Sequence, residues 1–253
     1  MPTHCLRASA FLLGLASILA VPCATALAST SERTSPPSDA ALAASMNVTM
    51  GELPTSTAWV STKAMPRPTA ETTQDEQTIT CMKKAGGAAA RISSDPFGTV
   101  GVPGGVVTAD VTSPSFSPKS STDGLPEVSS EVDMVTTAAQ ATSDLAAFAT
   151  QATLACFAHE FANIYSAELN TKLNATTSFL PLSRFGSGNG GVHGRYVITG
   201  GNLKAPLYDD AYFYAQGRAE IFVQFADLGA PFPSSWATSV VAKVMTRAHS
   251  LVG

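Results

Sequence analysis

Apolar and polar positions alternate with two different periods along this chain. A period of two covers Val106–Ser117 and Glu127–Val135, each with one apolar face. In the second segment the apolar face holds Val128, Val132 and Met134, and the opposite face holds Glu127, Glu131 and Asp133. Such alternation is typical of an antiparallel strand that is half buried, with its polar face towards solvent. The pattern therefore predicts two strands joined by the polar stretch Lys119–Pro126.

Four more strands are predicted in the second half of the chain. Their bounds are Thr177–Phe185, Gly194–Thr199, Tyr208–Ala215 and Arg218–Phe225. Gln216-Gly217 separates the last two strands by two residues, the spacing of a tight hairpin turn. Joined by hairpins, these strands predict an antiparallel sheet.

Apolar residues with helical spacing predict four main helices. The first is Thr73–Ala85, which carries Asp75 and Glu76 in its first turn and ends at Gly86-Gly87. Two out-of-phase stripes follow, Ala141–Ala152 and Leu154–Ile164, and predict two helices, or one helix with a break near Gln151–Thr153. The closing helix spans Pro233–Leu251, and Ala41–Met46 adds a helical turn near the start. The order of elements predicts an α+β fold, an antiparallel sheet flanked by helices.

The N-terminus has the pattern of a secretory signal. Arg7 precedes the charge-free apolar run Ala8–Val21, and Ala26-Leu27-Ala28 offers small residues to a signal peptidase. We expect residues 1–28 to be a signal peptide, 29–40 a flexible linker and 41–253 a single domain. A lipid anchor at Cys23 is the alternative, although Pro22 fits a lipoprotein signal poorly. No later segment approaches the length of a membrane span, so we predict a secreted or cell-envelope protein.

The charge of the chain argues against nucleic acid as a partner. The formal net charge is −4, and only 13% of residues are charged. Basic residues are not clustered anywhere, whereas binding to a phosphate backbone depends on clustered Lys and Arg.

Two cysteines remain after removal of the signal, Cys81 and Cys156. An even number of cysteines in an oxidising compartment predicts a disulfide bond between them. Two buried free thiols are the alternative.

Several short motifs resemble catalytic or cofactor sites without completing them. His159-Glu160 has Asn163 where the zinc-protease pattern H-E-x-x-H has its second histidine, so a metal site is not expected and both residues are predicted on a solvated helix face. The segment 186–191 matches G-x-G-x-x-G, but a strand rather than a helix is predicted after it, which argues against a dinucleotide cofactor. Asp209-Asp210 is predicted in a solvated turn. We therefore expect no cofactor.

The element order resembles a family of exported domains. The resemblance is carried by Cys81, by VTADVTSPSFS and VSSEVDMVTTAAQATSDLAAF, by Cys156 in LACF, and by the final AQGRAEIFVQFADLGAPFPSSWATSVVAKVMTRA. This looks like the actinobacterial domains related to LpqN-type lipoproteins and to the extracellular sensor domains of receptor kinases. The resemblance implies a PsbP-like α/β sandwich and a non-enzymatic sensor or binding role, and it implies no binding residues.

Candidate ligand-binding residues lie beside the glycine-rich segment Gly186–Gly194 and on the aromatic hairpin that follows. They are His193, Arg195, Tyr212 and Tyr214. The glycine-rich segment is expected to be the most mobile part of the domain and a candidate lid over a small molecule or an envelope component. The leading hypothesis is a non-catalytic binding or sensor-like protein. A hydrolase whose site combines distant residues and a structural or adhesion protein are the alternatives.

Overall fold

A computed structural model describes residues 36–62, 69–87, 107–121, 124–180, 182 and 190–253. The chain divides into two units, Met1–Pro36 and Pro37–Gly253, and the account below concerns the second. The predicted signal peptide, residues 29–35 of the predicted linker and residues 186–189 of the predicted lid lie outside the described residues. Residues 191–194, at the other end of the predicted lid, belong to a strand.

The second unit contains five helices and eight strands among its described residues. The helices are α1 (Asp39–Met46), α2 (Thr69–Ala85), α3 (Ala138–Phe148), α4 (Gln151–Glu168) and α5 (Ser234–Val252), with a 3-10 turn at Met50–Glu52. The strands are β1 (Trp59–Thr62), β2 (Val107–Thr112), β3 (Ser115–Pro118), β4 (Glu127–Val135), β5 (Asn174–Leu180), β6 (Gly191–Thr199), β7 (Leu207–Gln216) and β8 (Ala219–Leu228). None of the described helices is long and apolar enough to cross a membrane.

The strands form one antiparallel sheet in the order β1-β3-β4-β8-β7-β6-β5, and β2 also pairs with β4. This confirms the predicted α+β class. The bounds of β4 agree with the prediction, whereas the segment predicted as one strand over Val106–Ser117 is broken at Ser113-Pro114 into β2 and β3. The helix break lies at Ala149-Thr150, where Thr150 accepts a hydrogen bond from the Thr153 amide and so begins α4.

Helices cover both faces of the sheet. On the α5 face, Ile221, Val223 and Phe225 of β8 pack in one core with α5 and α1. On the α4 face, Phe213 of β7 and Tyr196 of β6 pack in a second core with α3 and α4. The apolar stripe of α5 is buried, with Val240, Val244 and Ala248 at 0% exposure.

A disulfide bond joins Cys81 of α2 to Cys156 of α4. Cys156 lies in the second turn of α4 rather than at the break between helices. Among residues 77–85 of α2, only Thr78 and Met82 are buried. The disulfide therefore attaches a part of α2, residues 77–85, that buries few side chains of its own.

Candidate functional site

A row of carboxylates crosses the α4 face of the sheet. Asp110 of β2 pairs with Asp133 of β4, and Asp133 pairs in turn with Glu220 of β8. Glu131 follows the same face two residues before Asp133. Acidic side chains directly opposite each other in a sheet destabilise it when they are all ionised.

Helix α3 packs over the sheet next to Glu131, Asp133 and Glu220 of this row. The helix begins where Thr137 accepts a hydrogen bond from the Gln140 amide at 3.1 Å. Asp144 occupies its buried stripe together with Ala141, Ala147 and Phe148, and is 0% exposed. Its carboxyl group is hydrogen-bonded to that of Glu220. The sequence therefore buries a fifth carboxyl group, that of Asp144, at a helix position where an apolar residue is usual.

The Asp144–Glu220 pair keeps a bound proton at pH values well above the ordinary pKa of a carboxyl group. Burial, followed by the hydrogen bond with Asp144 and the charges of Asp144 and Asp133, together raise the pKa of Glu220 to about 11. At neutral pH, Asp144 and Glu220 accordingly share a proton. The proton is what allows the two groups to lie so close together in the core.

The buried end of the carboxylate row opens into a cavity between α3 and the sheet. The cavity measures about 40 Å³, room for a few water-sized groups. Its polar wall contains Glu131, Asp133 and Glu220, and its apolar wall contains Phe148, Phe213 and Phe222. The ring of Phe213 stacks at 4.5 Å on Phe148 and lies 4.9 Å from Phe222. The site thus combines carboxylates with aromatic rings.

The outer end of the row has the spacing of an oxygen-only metal site. Ligand oxygens of Asp110, Glu131 and Asp133 lie within 4.8 Å of one another. Two oxygens bound to one Ca²⁺ at 2.3–2.6 Å are separated by at most about 5 Å. Exposure decreases along this set, because Asp110 is exposed, Glu131 is half-buried and Asp133 is buried. A cation would therefore meet the row first at Asp110.

The residues predicted to bind ligand lie on the α5 face, and two of them, His193 and Arg195, contact Asp210. His193 Nε2 lies 2.9 Å from Asp210 Oδ1, and Arg195 donates to both Asp210 oxygens at 2.7 and 3.1 Å. The His193 ring stacks on Tyr212 with their centroids 3.9 Å apart. Tyr214 lies two residues beyond Tyr212 on the same strand and covers Gly191, where an added Cβ would clash with the Tyr214 ring.

The prediction that Asp209-Asp210 forms a solvated turn is wrong. Both residues lie in the middle of β7, with 0% and 1% exposure, and point to opposite faces of the sheet. Asp209 Oδ2 accepts a hydrogen bond from Gln224 Nε2 at 2.5 Å on the α4 face. Burial, together with the charges of Asp210 and Glu127, raises the pKa of Asp209 to about 7.

The prediction of a solvated face at His159-Glu160 is wrong for Glu160. His159 is exposed and its Nδ1 lies 3.0 Å from Asn163 Nδ2, but Glu160 is 2% exposed. Both line a groove of about 540 Å³ between α2 and α4, next to the disulfide. Helix α2 covers this side of α4, which the helical period of α4 alone does not reveal.

Sequence reasoning missed the carboxylate row because the pattern places its members on one face without showing what covers that face. The available signal was Asp144, an acidic residue in phase with the apolar positions Ala141, Ala147 and Phe148 of one helix. A carboxyl group on a core-facing stripe indicates either a buried partner or a buried site. Comparison of the chain with known protein families found no match, and comparison with curated proteins found none either.

Proposed function

We propose that the chain is an exported, non-catalytic binding protein of the cell envelope whose ligand is a small cation. The cation would be held between α3 and the sheet by the carboxylates of Glu131, Asp133 and Glu220. The disulfide bond is compatible with an extracytoplasmic location. The observation that carries the proposal is the row of directly opposed acids, which ends in a cavity.

The charge balance of the cavity supports a cationic ligand. None of the described residues that line it is basic. At neutral pH the buried acids are balanced in part by the proton shared between Asp144 and Glu220. A cation entering the cavity would take over that role, because a positive charge beside a carboxyl group lowers its pKa. Binding is therefore expected to release a proton.

The aromatic wall favours an organic ammonium group over a bare metal ion. Phe148, Phe213 and Phe222 offer ring surfaces beside the carboxylates, and rings within about 6 Å attract an ammonium group. The size of the cavity suits a small amine or the charged end of a longer one. The alternative cation is Ca²⁺, bound by Asp110, Glu131 and Asp133. The experiment below distinguishes an organic ammonium group from Ca²⁺.

The test is isothermal titration calorimetry of the exported protein at pH 7 with three probes: tetramethylammonium, putrescine and Ca²⁺. We expect an amine to bind and to release protons, seen as an apparent enthalpy that changes with the ionisation enthalpy of the buffer. Binding of Ca²⁺ alone would assign the outer end of the row instead. An absence of binding for all three probes would disprove the cation proposal.

Two glutamates of β4 provide a matched pair of variants. Glu131 lines the cavity, whereas Glu127 lies on the same face of the same strand but outside the cavity lining. Glu131→Gln should weaken binding at least about tenfold, since a charged hydrogen bond contributes roughly 1.5–3 kcal/mol. Glu127→Gln should leave the affinity unchanged. Equal loss in both variants would indicate a general charge effect rather than a site.

A hydrolase is the second candidate, and the Asp144–Glu220 pair is the observation that favours it. Two carboxyl groups that share a proton can act as acid and base when a substrate reaches them. The test is a panel of chromogenic esters and glycosides with the exported protein and with Asp144→Asn. Turnover that disappears in Asp144→Asn, while that variant keeps its thermal unfolding midpoint, would favour the hydrolase.

A further inference from the structure

The two edges of the sheet differ in how they are protected against pairing with another chain. At one edge, β1 has four residues, while β2 carries the exposed Asp110 and a register shift between Val107 and Ala109. Short strands, charges and bulges are the usual means of blocking an edge. At the other edge, β5 has seven residues that pair with β6 in unbroken register.

Strand β5 lacks the protective features of the opposite edge. Its sequence, NATTSFL, contains no charged residue and no proline. Among the described residues, Phe179 is the one aromatic side chain in the set of exposed large apolar residues, at 40% exposure. A long, regular, uncharged edge presents unpaired backbone N–H and C=O groups to another strand.

We infer that β5 pairs with β5 of a second copy of this chain, antiparallel about a two-fold axis at Thr177. The sequence of the strand is complementary to itself in this register. On the α5 face the exposed Thr176 would lie opposite Ser178 of the second copy, and hydroxyl pairs of this kind stabilise neighbouring strands. On the α4 face Phe179 would lie opposite the small Ala175 and cover it.

The absence of charge in β5 allows the strand to pair with a second copy of itself without repulsion. In a symmetric pair, Thr176 of each copy lies opposite Ser178 of the other copy. A charged residue at either position would therefore occur twice, once on each side of the axis. No such charge exists, and the exposed side chains of β5 carry amide, hydroxyl or apolar groups. The two eight-stranded sheets would join into one continuous sheet.

Two double variants test both the surface and the register. In Thr176→Glu/Ser178→Glu, glutamates would face each other twice across the axis and repel. In Thr176→Lys/Ser178→Glu, each lysine would face a glutamate of the other copy. The two variants differ only at position 176. Thr238→Lys on the exposed surface of α5 is the control for added charge.

The measurement is light scattering coupled to gel filtration on the exported chain, from about 1 to 100 µM, with thermal unfolding to establish that each variant is folded. We expect twice the mass of one chain for the natural protein, for Thr238→Lys and for Thr176→Lys/Ser178→Glu, and the mass of one chain for Thr176→Glu/Ser178→Glu. The mass of one chain for the natural protein at every concentration would overturn the inference and leave the edge to a different strand. Dimers of all variants, or loss of the dimer in both double variants, would overturn pairing about Thr177.

Discussion

Asp133 and Glu220 lie directly opposite each other on β4 and β8, with both side chains on the face that α3 covers. Asp133 is 5% exposed, and Asp144 of α3 is hydrogen-bonded to Glu220. Three carboxyl groups thus meet in one buried site. Their proximity requires a bound proton, and the stability of the fold becomes dependent on pH.

Glu220→Gln should remove most of the loss of stability that occurs above neutral pH. The unfolded chain releases the Glu220 proton near the ordinary pKa of 4.5, whereas the folded chain holds it until about pH 11. The folded state therefore binds more protons within this window, and the free energy of unfolding falls as pH rises, by at most about 1.4 kcal/mol per pH unit for one proton. Urea unfolding between pH 7.5 and 9.5 measures this slope. A flat profile in the natural protein would contradict the shared proton.

Asp209→Asn should stabilise the protein at pH 8 and have little effect at pH 4. The pKa of Asp209 rises from 3.8 to about 7 on folding, mainly through burial. The bound proton of Asp209 makes its whole contribution to the free energy of unfolding below pH 3.8, and this contribution is lost as the pH rises to 7. A neutral amide avoids this loss, worth as much as about 4 kcal/mol above pH 7, and its oxygen can still accept from Gln224. Equal destabilisation at both pH values would show that the carboxyl group is needed for packing instead.

Asp210→Asn, one residue further, should have the opposite effect. Asp210 accepts hydrogen bonds from Arg195 and contacts His193, and it is 1% exposed. Removing the carboxylate leaves the Arg195 charge without its partner, which costs about 3–5 kcal/mol in buried sites. The Arg195 side chain is 24% exposed, so the lower end, about 3 kcal/mol, is expected near pH 7. Chemical unfolding gives the value, and a loss below about 1 kcal/mol would show that solvent replaces the carboxylate.

Asp209 and Asp210 show which features of the fold can be predicted from the sequence and which cannot. Alternation along β7 and β8 predicted a hairpin and identified residues that share a face. It did not show that helices cover both faces at this point, because the covering helices are distant in sequence. Acidic residues that are adjacent in sequence are usually exposed to solvent. In β7 their side chains point to opposite faces of the sheet, so Asp209 is buried in one core and Asp210 in the other.

The prediction that the acidic face of β4 points towards solvent is wrong because a helix distant in sequence covers that face. The period of two assigned Glu131 and Asp133 to one face and gave the correct bounds of the strand. Only the position of α3, set by long-range packing of Phe148 on Phe213, buries that face. The disulfide was predictable from the count of cysteines, since it needed no knowledge of packing.

Asn47→Ala should destabilise the protein by about 2–3 kcal/mol. Asn47 is 4% exposed and donates from Nδ2 to the Val111 carbonyl at 2.6 Å, while Ser130 donates to its Oδ1 at 2.7 Å. Alanine removes both bonds and leaves buried partners unsatisfied. Asn174→Ala is the control, because Asn174 is exposed at the start of β5 and should change stability by less than about 0.5 kcal/mol. Similar losses in both variants would argue against Asn47 as the bridge from the N-terminal segment to the sheet.

Cys156→Ser should loosen α2 before it unfolds the rest of the domain. The Cys81–Cys156 bond closes a loop of 75 residues, and restricting a loop of this size in the unfolded chain stabilises the fold by about 4 kcal/mol. Among residues 77–85 of α2, Met82 and Thr78 are the buried residues that remain to hold this part of the helix. In Cys156→Ser we expect amide hydrogens of residues 77–85 to exchange at least about tenfold faster. Amides of β7 should stay protected under native conditions. Cys81→Ser should behave identically, because both variants remove the same bond. Uniformly faster exchange across β7 and α2 would show instead that the bond stabilises the whole domain as one unit.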